Sequence, residues 1–187
     1  MNLKYFRFLS FFSIFTLIIS CKDDVLPKPK SYLSLDYPEA KYESFSTNCR
    51  YIFNYNKAGQ VAPNGNCNFT ITYPKLKATV YLNYKPVNKN IDLLLRDAQK
   101  LTYEHVIKAD GISEQPFVNK KNKTSGMFYE VGGNAASQSQ FYLTDSTKHF
   151  LVGSVYFYAK PNFDSILPAA EYVKNDLRSL MESLKWK

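Results

Sequence analysis

The chain has 187 residues, 24 Lys and Arg against 16 Asp and Glu, and a formal charge of +8. That length fits one domain with a short appendage. Three cysteines and two histidines, His105 and His149, stand too far apart in sequence to suggest a zinc centre, and no cofactor motif replaces it.

The N-terminus carries the strongest signal. Lys4 and Arg7 precede an apolar run from Phe8 to Ile19. The run is about 12 residues long, against roughly 20 for a membrane-spanning helix. A basic start, a short apolar stretch and a small residue before the cut describe a secretory signal. Here Ile18-Ile19-Ser20 is followed by Cys21, the order of a bacterial lipoprotein signal. Cleavage between Ser20 and Cys21, with acyl chains on Cys21, is therefore expected. Each buried methylene contributes about 0.8 kcal/mol, so two or three chains anchor a domain firmly. The predicted organisation is a signal peptide over residues 1–20, a lipidated tether over 21–41 and a globular domain over 42–187. Such an address removes nucleic acid from the partners and leaves +6 on residues 21–187. The basic residues are scattered among acidic ones, which reads first as solubility and second as attraction to acidic glycans or lipid heads.

Cys49 and Cys67 remain in an oxidising compartment, so a bridge between them is expected, with two free thiols as the alternative. Pro27, Pro29 and Pro38 keep the tether extended, and alternation of Leu33, Leu35 and Tyr37 predicts an edge strand at its far end. Tyr51, Phe53 and Tyr55 fall on one face of a first strand. Asn56 to Gly65 reads as a polar turn. Phe69, Ile71 and Tyr73 mark a second strand, which the bridge would tie to its neighbour, and Val80, Leu82 and Tyr84 a third.

A helix follows. Asn90 is placed to cap it, and Ile91, Leu94, Leu95, Ala98, Leu101 and His105 form one apolar stripe, ending at Lys108 to Gly111. Strands are predicted over Gln115–Val118, Met127–Val131, Gln140–Thr144 and His149–Ala159. The last is apolar on both faces, the mark of a central strand covered twice. Gly153 within it signals a bulge or close packing. The final helix is predicted from Ser165 to Leu184, with Pro168 in its first turn and Lys185 and Lys187 at its negative end. The sum is an α+β domain: a mostly antiparallel sheet of about six to seven strands with two main helices packed on it.

Recognised catalytic motifs are missing from the sequence. Asp92, Asp97 and Glu104 read as the solvated face of the first helix. The most unusual stretch is Gly132-Gly133-Asn134-Ala135-Ala136-Ser137-Gln138-Ser139-Gln140. Gly132, Gly133, Asn134, Ser137 and Gln138 are candidates for a partner-contact loop; a plain hairpin loop is the alternative. A hydrolase would have to use His105, Glu104 and Ser137.

Several segments resemble the gliding-motility lipoprotein D (GldD) family. They include Val25-Leu26-Pro27-Lys28-Pro29-Lys30, Ile71-Thr72-Tyr73-Pro74-Lys75-Leu76, Leu95-Arg96-Asp97-Ala98-Gln99-Lys100-Leu101, the Gly132–Gln140 loop and Phe157-Tyr158-Ala159-Lys160-Pro161-Asn162. The resemblance implies a lipid-anchored envelope protein required for gliding, a non-enzymatic accessory of the gliding and type IX secretion machinery. Its expected partners are membrane lipid, through acylated Cys21, and proteins of that machinery. The outer membrane is the favoured location. The alternative is an envelope module that binds peptidoglycan or acidic polysaccharide.

Overall fold

The computed structural model describes residues 37–104, 109–158 and 163–187. The chain divides into two units, residues 1–30 and 31–187, and every described residue belongs to the second. His105 and the segment from Leu33 to Leu35 lie outside the described residues.

Among the described residues, ten strands and two long helices run in the order β1 (Tyr42–Ser46), β2 (Tyr51–Asn56), β3 (Gln60–Pro63), β4 (Phe69–Tyr73), β5 (Ala78–Pro86), α1 (Ile91–Tyr103), β6 (Ala109–Asn119), β7 (Thr124–Gly133), β8 (Ser139–Thr144), β9 (His149–Phe157), α2 (Phe163–Ser183) and β10 (Lys185–Trp186). Seven strands form one antiparallel sheet, ordered β3-β4-β5-β9-β8-β7-β6. A smaller sheet is ordered β1-β2-β10. The α+β architecture is as the sequence predicts.

Strand β9 holds the middle of the large sheet, and its two-faced pattern explains the layering. Leu151 and Val155 face a core completed by Val173, Leu177, Leu180 and Met181 of α2 and by Tyr51 and Phe53 of the small sheet. Phe150 points the other way and packs with Leu94 and Ala98 of α1. The helices therefore cover opposite faces. Gly153 makes no bulge, for the register runs unbroken through Leu82↔Gly153 and Phe141↔Gly153. It is a close-packing position. A Cβ there would lie 2.2 Å from the Phe141 ring.

Several boundaries differ from the sequence reading. Strands β1 and β10 carry no strong alternation and were not predicted. The predicted turn at Asn56–Gly65 contains β3, an edge strand too short for a readable period. Strand β6 begins at Ala109, six residues before the predicted start, because an edge strand paired only with β7 needs no clean alternation. The described helix α1 correspondingly stops at Tyr103. Asn90 stands at its N-cap without capping it; its Oδ1 accepts from the Asn88 N–H at 2.7 Å instead. Helix α2 starts at Phe163, which moves Pro168 out of the first turn and into the helix. Lys185 leaves the helix end to form β10 against β2.

Cys49 and Cys67 are bridged, with Cα atoms 5.5 Å apart. The bridge does not join neighbouring strands. Strands β2 and β4 lie in different sheets, so it ties the loop before β2 to the loop before β4 and thereby clamps the two sheets. Beside it Phe45, Phe53 and Phe69, with Tyr51, fill the seam, Phe45 meeting Phe69 edge-on at 5.1 Å. Such aromatic pairs contribute about 0.5–1.5 kcal/mol each beyond area burial.

Two outcomes test this packing. Gly153→Ala is expected to destabilise by about 1–3 kcal/mol through overpacking, and Phe141→Leu should recover part of that loss in the double variant, both read by urea unfolding. The Cys49→Ser/Cys67→Ser pair opens a loop of 18-residue separation. It is expected to cost about 3 kcal/mol, with a lower thermal midpoint than the oxidised parent.

Candidate functional site

The glycine-rich loop was the sequence's foremost candidate, and the structure turns most of it inward. Gly133 has φ +87°, and a Cβ on it would stand 2.7 Å from the Asp110 backbone nitrogen. That close approach lets the loop fold down on the start of β6. Ala135, Ser137 and Gln138 are buried, and Gly132 is half-buried. The Ser137 hydroxyl donates to the Ser139 carbonyl, the Gln138 amide donates to the Ala135 carbonyl at 2.7 Å, and the Val131 N–H donates to the Gln138 carbonyl. Only Asn134 and Ala136 stand exposed among residues 131–140. Small polar residues look like surface in a sequence. Here they are small because the backbone is packed tightly, and polar because a buried turn must satisfy its own carbonyls.

The hydrolase constellation does not assemble among the described residues. Ser137 is fully buried, Glu104 is exposed at the end of α1, and His105 lies outside them. Asp92 and Asp97 are exposed, as predicted, and Asp97 pairs loosely with Lys85 at 3.8 Å. No group of three His, Cys, Asp or Glu converges among the described residues, and none of their helices is long and apolar enough to cross a membrane.

Two polar centres, one buried and one half-buried, hold α2 to the rest. Asp176 accepts from Tyr42 at 2.8 Å and from the Asn56 amide at 3.0 Å. Burial pushes its carboxyl pKa up, and hydrogen bonds from Tyr42, Asn56 and Tyr73 oppose that rise. The same burial and the carboxylate raise the Tyr42 phenol to about 12. Where the chain enters the domain, the Tyr172 hydroxyl donates to the Pro38 carbonyl and its ring lies 5.6 Å from Tyr37. On the other side, Arg178 bonds Glu130 and sits 4.4 Å over the Phe128 ring, with Lys174 also against Glu130. Burial would raise the Glu130 pKa, but the two cations win and hold it low. These are structural ties.

A third arrangement faces outward. At one end of the sheets the β6–β7 turn, the β8–β9 turn and β10 enclose a cleft of about 650 Å³, lined by Lys121, Lys123, Lys148, Lys185, His149 and Trp186, among others. Sequence reasoning treated these lysines as scattered charge. Its walls are pinned. The Asn122 amide donates to the Leu184 carbonyl at 2.9 Å and the Asn119 amide to the Glu182 carbonyl. The Asp145 carboxylate accepts from the backbone N–H groups of Thr147, Lys148 and His149 and from the Thr147 hydroxyl. Burial raises its pKa, yet those donors more than offset it and hold the group ionised. Trp186 stacks on His149 at 5.0 Å, and His149 Nδ1 lies 2.9 Å from the Tyr84 hydroxyl.

The fold defines a class: an α+β domain of one seven-stranded antiparallel sheet, a smaller three-stranded sheet and two helices, whose outward-facing features among the described residues are surfaces. The chain belongs to the gliding motility lipoprotein GldD family, whose model matches residues 22–186. Comparison with curated proteins found no match.

The His149 imidazole pKa is lowered by burial, with Asp145 opposing and Arg50 and Lys148 reinforcing the effect. Its folded pKa thus lies below the unfolded value near 6.5, so the unfolded chain takes up the proton first. The stability it contributes is full above the unfolded pKa and is lost as pH falls through the folded one. Urea unfolding from neutral pH down to about pH 5 should show a steeper loss for the parent than for His149→Gln; equal slopes would count against a neutral buried imidazole.

Proposed function

We propose that this protein is a lipid-anchored, non-enzymatic accessory of the gliding and type IX secretion machinery. The observation that carries the reading is the family match over residues 22–186, which begins directly after Cys21. In this reading Met1–Ser20 is the signal, Cys21 is the acylated residue and membrane lipid is its first partner. The family establishes a membrane-anchored envelope protein; the outer membrane and contact with machinery proteins are the finer parts of this proposal. The clamped sheets and the polar ties of α2 support a rigid adaptor. Any contact made through the glycine-rich loop runs by way of Asn134, Ala136 and the backbone beside Gly132 and Gly133. No cofactor enters this reading.

Replacing Cys21 tests the anchor. In a Cys21→Ala strain the protein is expected to leave the membrane fraction, and colony spreading over a surface should be largely lost. Undiminished gliding with the protein shown to be soluble would sink the anchoring part of the reading.

A further inference from the structure

We propose that the cleft between the β6–β7 turn, the β8–β9 turn and β10 binds an anionic glycan segment. A sugar ring would lie against the exposed part of Trp186, and its carboxylate or phosphate would lie among Lys121, Lys123, Lys148 and Lys185. The inference goes beyond the anchoring and accessory role and does not depend on it.

Charge is the first argument. The four lysines are exposed and make no ion pair among the described residues, although Lys57, Lys85 and Lys174 do elsewhere. Among the described residues lining the cleft the one side-chain carboxylate, Asp145, is already saturated by four donors of its own turn. Four like charges brought together without a counterion repel one another, and an anion relieves that cost. Three separate chain segments supply them, so no single basic run accounts for the cluster.

The chemistry of the lining selects the kind of anion. Lys121, Asn122, Lys123, Thr147 and Lys148 offer donors on stems, and Trp186 offers the aromatic surface. Its indole is held in place by stacking on His149, which Tyr84 fixes in turn. A polar-rimmed aromatic platform suits the apolar face of a sugar ring, and the volume lies within the usual range for small-ligand sites. A lipid tail finds no aliphatic side chain in the lining. An acidic peptide added as a strand would need a long free edge, and β10 has only two residues. Lysine is a compact point charge that takes carboxylate or phosphate equally, so the acid group is left for the experiment to distinguish.

The chain has a single tryptophan, Trp186, which makes its fluorescence a reporter of this cleft. The full chain, purified in neutral detergent, is titrated with oligogalacturonate, a phosphorylated oligomannoside, a neutral cello-oligosaccharide, polyglutamate and phosphatidylglycerol vesicles. One or both acidic saccharides should change the emission saturably, weaken with added salt, and bind at least about tenfold tighter than the neutral sugar. The acid that binds names the group. The Lys121→Gln/Lys148→Gln/Lys185→Gln variant should lose at least about tenfold in affinity at an unchanged thermal midpoint. A Lys75→Gln/Lys77→Gln/Lys100→Gln control, far from the cleft, should lose little. No response to either acidic saccharide overturns the proposal. So does an equal response to polyglutamate, a response confined to vesicles, or equal losses in the two triple variants.

Discussion

A strand that is apolar on both faces must be covered twice, and meeting that requirement at β9 organises the whole domain. Placing β9 fourth of seven strands lets three strands flank it on each side. Leu151 and Val155 then need α2 and the small sheet above them, while Phe150 needs α1 below. The absence of a side chain at Gly153 lets the Phe141 ring lie directly over the strand. Everything that faces outward is positioned by what these two layers leave uncovered.

The small sheet is the less self-sufficient layer. It has three strands, one of only two residues, and cannot bury its own aromatic face. It is stable where it is because Tyr51 and Phe53 are inserted into the main core, because Cys49–Cys67 clamps its loop, and because Asp176 reaches from α2 to Tyr42 and Asn56. That attachment has a consequence at the surface. Strand β10 follows α2 directly and pairs with β2, which carries Trp186 and Lys185 to the end of the large sheet where two hairpin turns already present lysines. The cationic cleft is thus a by-product of how the second layer is fastened.

Much of this was legible in the residues. Phe69, Ile71 and Tyr73 of β4, Val80 and Leu82 of β5, Leu151 and Val155 against Phe150 on the two faces of β9, and Leu94 and Ala98 of the α1 stripe are all buried. The unpredicted elements are those with weak periodicity: β1, β3 and β10 are short or exposed, and β6 pairs on one side only. The glycine-rich loop was open to two readings, a partner contact or a plain hairpin. Its composition suggested a contact surface, whereas Ser137 and Gln138 are buried by packing that small residues permit.

By itself the sequence determined the fold class and the family pattern, because both rest on local order along the chain, and it led to the expectation of a signal ahead of Cys21 and of a bridge between the two remaining cysteines. Tertiary structure alone decided that the bridge clamps two sheets, that the candidate loop folds inward, and that Lys121, Lys123, Lys148 and Lys185 become neighbours. Those outcomes depend on which strands share a sheet and which turns meet at its end. Local propensity carries no such information, since charges scattered evenly along a chain can still be gathered by antiparallel hairpins whose turns all fall on one side.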